Sequence, residues 1–172
     1  MLKYAAIAIL FLGCTYIGFY YGEKFKKRCK ALADIKKAVM FLNTEVMYYN
    51  TPLPEAFNNI GLKLPNPLDN LFKEMSYLLR EDQCESVYHV FNQVYDNYQE
   101  ELKLKEGDRR ILDDFFKSLG GSGIYEQEKV FKLAAEEIDL NYGEAEVEAK
   151  KNIKMYRTLG ICSGAILAIF FI

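Results

Sequence analysis

Apolar residues crowd both ends of the chain and recur at helical intervals between them. Residues 2–21 carry one charged side chain, Lys3, and residues 159–172 carry none. Basic residues sit just inside each apolar end. Lys24, Lys26, Lys27, Arg28 and Lys30 follow the first, and Lys150, Lys151, Lys154 and Arg157 precede the second. In the interior no segment alternates with period two for long, so the spacing predicts helices throughout.

Six helices are predicted. The first runs from Lys24 to Tyr48 with Leu32, Ile35, Val39, Leu42 and Val46 on one stripe, and continues out of the apolar start. Thr51 and Pro52 begin a short second helix through Ile60, with threonine as cap and proline in the first turn. Asn66-Pro67 repeats that start for a third helix carrying Leu68, Leu71, Phe72, Met75 and Leu79. A fourth spans Glu85 to Leu102. A fifth begins near Asp108 and stops at Gly120-Gly121, glycine being the common residue after a helix end. The sixth starts near Gly123 and runs without a proline to Ile172. Its predicted stripe holds Val130, Leu133, Ile138, Tyr142, Ala145, Ala149, Ile153 and Tyr156, and Gly143 inside it marks a bend or a close contact.

The fold class is therefore all-α: a six-helix antiparallel bundle over residues 24–157, flanked by an N-terminal transmembrane helix (2–21) and a C-terminal one (158–172). Twenty residues at ~1.5 Å each match a hydrocarbon core of ~30 Å. The C-terminal run is shorter than the usual minimum of about 17 residues, so Tyr156 and Thr158 must extend it while Lys154 and Arg157 snorkel. Whether it crosses fully stays open. The basic flanks predict that the bundle faces the cytoplasm and both termini lie outside. A cleaved signal peptide would need basic residues before the apolar run and a small-residue cleavage site after it, and both are missing. Phe11-Leu12-Gly13-Cys14 partly matches a lipoprotein signal, but the apolar run continues beyond Cys14.

Each span contains a G-x-x-x-G pair, Gly18 with Gly22 and Gly160 with Gly164. Two readings stand: close helix packing, or the ordinary abundance of glycine in membrane helices.

Composition narrows the function classes. A net charge of −2 over 172 residues offers no basic excess for nucleic acid. The four cysteines (Cys14, Cys29, Cys84, Cys162) form no C-x-x-C pair and point to a reducing compartment rather than to disulfides or zinc. The single histidine, His89, has no suitably spaced carboxylate or thiol. Asp113-Asp114 and Glu136-Glu137 are helix neighbours that point about 100° apart, so neither forms a shared acid site. Gly120-Gly121-Ser122-Gly123 lacks the lysine of a phosphate loop. No catalytic residue, cofactor, metal or small-molecule substrate is expected. A membrane-tethered adaptor or regulatory bundle would satisfy all these features.

The segment Glu45 to Leu53 places Glu45, Tyr48 and Tyr49 at a helix end with Thr51, Pro52 and Leu53 directly after. It is either a well-capped junction alone or also a partner-contact surface.

This same segment, Glu45-Val-Met-Tyr48-Tyr-Asn-Thr51-Pro52-Leu53, resembles the E-x-M-Y-x-x-T-P-L signature of the stage III sporulation protein AB family. Leu119-Gly120, Ser122 and Gln127 resemble that family's L-G-x-S-D-x-x-x-Q turn. Lys151-Asn152, Lys154-Met155-Tyr156-Arg157 and Leu159-Gly160, with Gly164, resemble its closing segment. Gly123 departs from the aspartate often found there. The resemblance implies a cytoplasmic bundle similar to that of type II secretion and type IV pilus platform proteins. It implies a non-enzymatic subunit of the channel between mother cell and forespore, in the mother-cell membrane around the forespore. The partners it implies are a secretion-type ATPase of the same sporulation system, the other channel membrane subunits and the lipid bilayer.

Overall fold

The computed structural model describes the backbone of residues 2–81, 86–119 and 124–171, and side chains over the same residues except 2–11, 124–125, 168 and 171. The predicted stop at Gly120-Gly121, the start at Gly123, and Cys84 lie outside the described residues. Within them the regular structure is wholly helical: α1 (Leu2–Asn43), α2 (Leu53–Gly61), α3 (Leu68–Arg80), α4 (Val87–Leu102), α5 (Glu106–Ser118) and α6 (Ile124–Phe171). A π-helix, Thr44–Tyr48, extends α1 by one wide turn. The chain divides into two compact units, residues 30–143 and the paired terminal segments 1–29 and 144–172.

In the 30–143 unit, the predicted stripe of α1 is buried at Leu32, Ile35, Val39 and Leu42. It fails at Val46, which is only partly buried, while Glu45 is buried instead. The π-helix places an extra residue in the turn, so the α-helical period no longer holds beyond Asn43. α2 to α5 pack consecutively, α2 on α3, α3 on α4 and α4 on α5. Short loops enforce that order. Aromatic rings fill the centre. Phe91 stacks on Phe116 at 4.3 Å, and Phe57 meets both Phe72 and Phe116. The buried face of α6 is Phe131, Ala134 and Ile138. Leu133, predicted inside, is 54% exposed because the period runs through its neighbours at three- and four-residue steps.

The helix starts differ from expectation in two places. Thr51 and Asn66 do not cap: Pro52 and Pro67 occupy the cap positions of α2 and α3, with no side-chain cap bond. α4 starts at Ser86, whose hydroxyl accepts from the His89 backbone N–H at 3.2 Å. α5 starts two residues earlier than predicted, and the Asp108 carboxylate accepts from the Lys105 N–H at 2.9 Å.

In the terminal unit, α1 and α6 lie antiparallel. Gly18 meets Gly160, Gly22 meets Ile153, and Arg28 Nη1 lies 2.9 Å from Glu148 Oε2. As one residue number rises the other falls, which is the signature of antiparallel neighbours. Tyr156 stacks between Tyr21 (5.7 Å) and Phe25 (5.9 Å), and Arg157 lies over the Phe19 ring at 4.8 Å. Among the described residues no helix is long and apolar enough to cross a membrane.

Candidate functional site

The Glu45 to Leu53 junction is organised around one carboxylate. Glu45 is 6% exposed. Its Oε2 accepts from the Thr51 hydroxyl and from Asn59 Nδ2, each at 3.1 Å, and its Oε1 pairs with Lys63 Nζ at 3.1 Å. Its backbone carbonyl accepts from the Thr51 N–H at 2.9 Å. A buried carboxylate is costly unless its lone pairs are filled, and here three donors fill them. The hydrogen bond from Asn59, aided by those from Lys63 and Thr51, holds the Glu45 carboxyl below the usual range despite burial.

These bonds tie together three stretches of chain. Glu45 lies in the π-helix, Thr51 in the connection and Asn59 in the last turns of α2. Between the first two anchors the chain must turn sharply, and Asn50 takes the left-handed conformation (φ 51°) that asparagine tolerates. The π turn itself is closed by the Tyr49 N–H donating to the Thr44 carbonyl at 3.2 Å, while the Thr44 hydroxyl donates back to the Met40 carbonyl.

The consequence is a presented surface. Tyr48 is 77% exposed and Tyr49 is 71% exposed, on a turn whose base is pinned from three sides. Pro52 is exposed, and Leu53 is partly buried against the core. Pro52, Pro54, Glu55, Asn59 and Arg80 line an open groove beside it. The Ser76 hydroxyl donates to the Pro54 carbonyl at 2.6 Å and fastens this groove to α3.

The structure thus joins Glu45 to Thr51 directly and leaves Tyr48 and Pro52 outward. Asn59 and Lys63 are part of the same constellation and escaped the sequence reading. They stand 14 and 18 residues from Glu45, a separation that becomes contact only when α2 folds back.

The glycine pairs also separate. A Cβ added at Gly18 would stand 2.6 Å from the Tyr156 carbonyl oxygen and 3.0 Å from the Gly160 Cα. One added at Gly160 would stand 3.0 Å from the Cys14 oxygen. Gly18 and Gly160 are thus the point of closest backbone approach. Gly22 faces Ile153 at 3.6 Å, an ordinary contact, and Gly164 is buried. His89 is exposed, and among the described residues no three His, Cys, Asp or Glu side chains cluster as a metal site.

Fold and junction together define a class: an all-helical bundle with a pinned, aromatic presentation turn and a paired-helix terminal unit. Within that class, the chain belongs to the stage III sporulation protein AB family, whose model matches residues 3–172. Stage III sporulation protein AB of Bacillus subtilis (strain 168) is 28% identical over 167 residues, covering 97% of each chain. A solved structure of a stage III sporulation protein AB is similar with a TM-score of 0.66 at 27% identity, covering 71% of this chain and 95% of that one.

Proposed function

We propose that this protein is a non-enzymatic platform subunit of the secretion-like channel between mother cell and forespore, required for sporulation. In this reading residues 2–21 and 158–172 are membrane anchors in the mother-cell membrane that surrounds the forespore. The bundle faces the cytoplasm, where it docks the secretion-type ATPase of the same system, and both termini lie outside. Other channel membrane subunits contact it within the bilayer.

The observation that carries the docking role is the Glu45 clamp. Two tyrosines at the surface of a soluble bundle expose apolar area that is unfavourable in water. A turn held by three bonds to one buried carboxylate offers them with little entropy left to lose on binding. Tyrosine is also a preferred anchor of protein interfaces. The anchor assignment rests on the uncharged end, the one-lysine start and the basic flanks.

The test combines binding with sporulation. Detergent-solubilised full-length protein should retain the ATPase on a column, and Tyr48→Ala with Pro52→Ala should lower both retention and spore yield. Normal spores from that double variant, with no loss of ATPase binding, would sink the docking role. Labelling of single cysteines introduced near each terminus and in the bundle checks the topology, since both termini should react from outside while the bundle stays protected.

A further inference from the structure

The net charge of −2 conceals a strong division. Residues 30–143 hold 13 basic and 20 acidic side chains, whereas the terminal unit holds nine basic and four acidic ones. In the terminal unit the antiparallel pairing brings two basic clusters, distant in sequence, to one level. Gly22 lies against Ile153, and Arg28 pairs with Glu148, so the turns carrying Lys24 to Lys27 stand opposite those carrying Lys150 to Lys154.

The acidic residues of this unit are largely spoken for. Glu23 lies 3.4 Å from Lys26, Glu146 lies 3.0 Å from Lys150, and Glu148 holds Arg28. Lys24, Lys27, Lys151 and Lys154 are all exposed and make no ion pair among the described residues. Directly toward the apolar ends lie Tyr21 and Tyr156, with Arg157 over Phe19, and Phe25 stacks on Tyr156 from among the lysines. Aromatic rings followed by uncompensated cations is the order of chemistries met at a bilayer surface: acyl boundary first, phosphate layer next.

We infer that Lys24, Lys27, Lys151 and Lys154 form a two-helix basic collar that binds the headgroups of anionic phospholipids. The inference rests on the membrane reading above and adds a lipid class to it. A collar built from both helices differs from a general positive flank. Its four exposed ammonium groups come from both helices at one level of the pair, so a single headgroup layer meets all four. Long lysine stems let the ammonium groups reach the phosphates while the stems cover the aromatic rings.

Native mass spectrometry of the full-length protein in a non-ionic detergent tests this. Phosphatidylglycerol and phosphatidylcholine with the same acyl chains are offered in equal amounts. Phosphatidylglycerol should be retained about tenfold more, and less so at high salt. The preference should vanish in K24Q/K27Q/K151Q/K154Q, survive in the corresponding four-arginine variant, and survive in K129Q/K132Q, which removes two exposed lysines of the other unit. Equal retention of the two lipids, or a preference unchanged in the glutamine variant, would overturn the inference. So would a collar that binds an acidic peptide in nanodiscs and ignores phosphatidylglycerol, which would make an acidic protein segment its occupant. Alkaline carbonate extraction of cell membranes separates the two failures. Release into the supernatant sinks the membrane reading and this inference with it. Retention in the pellet without an anionic preference sinks the inference alone.

Discussion

In residues 30–143 side chains keep the helices apart; in the terminal unit backbones touch. Phe57, Phe91 and Phe116 form a ring cluster with centroids 4.3 to 6.2 Å apart, and the helices stand off at the distance those rings demand. Gly18 and Gly160 have no side chain to interpose, and their Cα atoms come within contact range. If the terminal helices lie in the bilayer as proposed, the difference follows from solvent. Large apolar side chains hold helices together where water rewards their burial. Between two helices in lipid that reward disappears, and close van der Waals contact through small residues takes over. Charge divides the same way, with an acidic bundle and a basic helix pair.

The largest effect should come from removing a ring. Phe57 is 0% exposed and touches Phe72 and Phe116. Phe57→Ala should cost the bundle about 3–5 kcal/mol, read as a lower denaturation midpoint of the full chain in detergent. A cost under about 1 kcal/mol would show that the ring cluster does not hold this unit together.

Next in size is the backbone contact. Gly18→Ala places a Cβ 2.6 Å from a backbone oxygen, where only a shift of the helices can relieve it. A loss of about 1–3 kcal/mol is expected in thermal unfolding. Gly22→Ala, with its nearest neighbour at 3.6 Å, should be tolerated. Equal effects at both positions would mean that the pair acts through its motif and not through this geometry.

These glycines show what sequence can and cannot deliver. The spacing of Gly18 and Gly22 marks a helix face but treats the two as equals, because the identity of the opposing residue is tertiary information. Helix number and type were legible, since apolar residues recur at three and four over long runs. The burial of Leu32, Ile35, Val39 and Leu42 followed directly. Val46 and Leu133 were misplaced for separate reasons. A π turn breaks the period before Val46, and α6 shows its partner a slightly rotated face. Glu45, Tyr48, Thr51 and Pro52 were recognisable as a unit, yet Thr51 bonds a carboxylate instead of capping a helix. The donors Asn59 and Lys63 look like ordinary polar positions until α2 packs.

The clamp gives the third test. Glu45→Gln keeps an acceptor for Thr51 or Asn59 but loses the charge opposite Lys63. A cost of about 1–2 kcal/mol is expected near neutral pH. The sign with pH follows from the lowered carboxyl. The folded state binds the proton less readily than the unfolded chain, so the contribution is full above the ordinary value of 4.5 and fades as pH falls through the lowered one. Stability of the Glu45→Gln variant should therefore fall less steeply on acidification than that of the parent. Parallel curves would remove the carboxylate as the source. Tyr48 exposure should rise in mobility with it, read as faster amide exchange around the π turn.

The smallest effect should have the opposite sign. Gly143 ends the 30–143 unit, and Glu144 begins the second segment of the terminal unit. The sequence suggested a bend or a close contact there. An added Cβ meets nothing within 4 Å, and α6 runs without interruption from Ile124 to Phe171. A glycine in a helix interior without a packing reason costs up to about 1 kcal/mol relative to alanine. Gly143→Ala should therefore leave the fold intact and raise stability by up to that amount, read as a small upward shift in melting temperature. Its value lies in the contrast with Gly18→Ala, the same added methyl group in a helix of the same chain. If the two substitutions move stability in opposite directions, contact decides the role of each glycine. If Gly143→Ala is stable but fails to support sporulation, this point in α6 serves by bending, and the uninterrupted helix is only one of its working shapes.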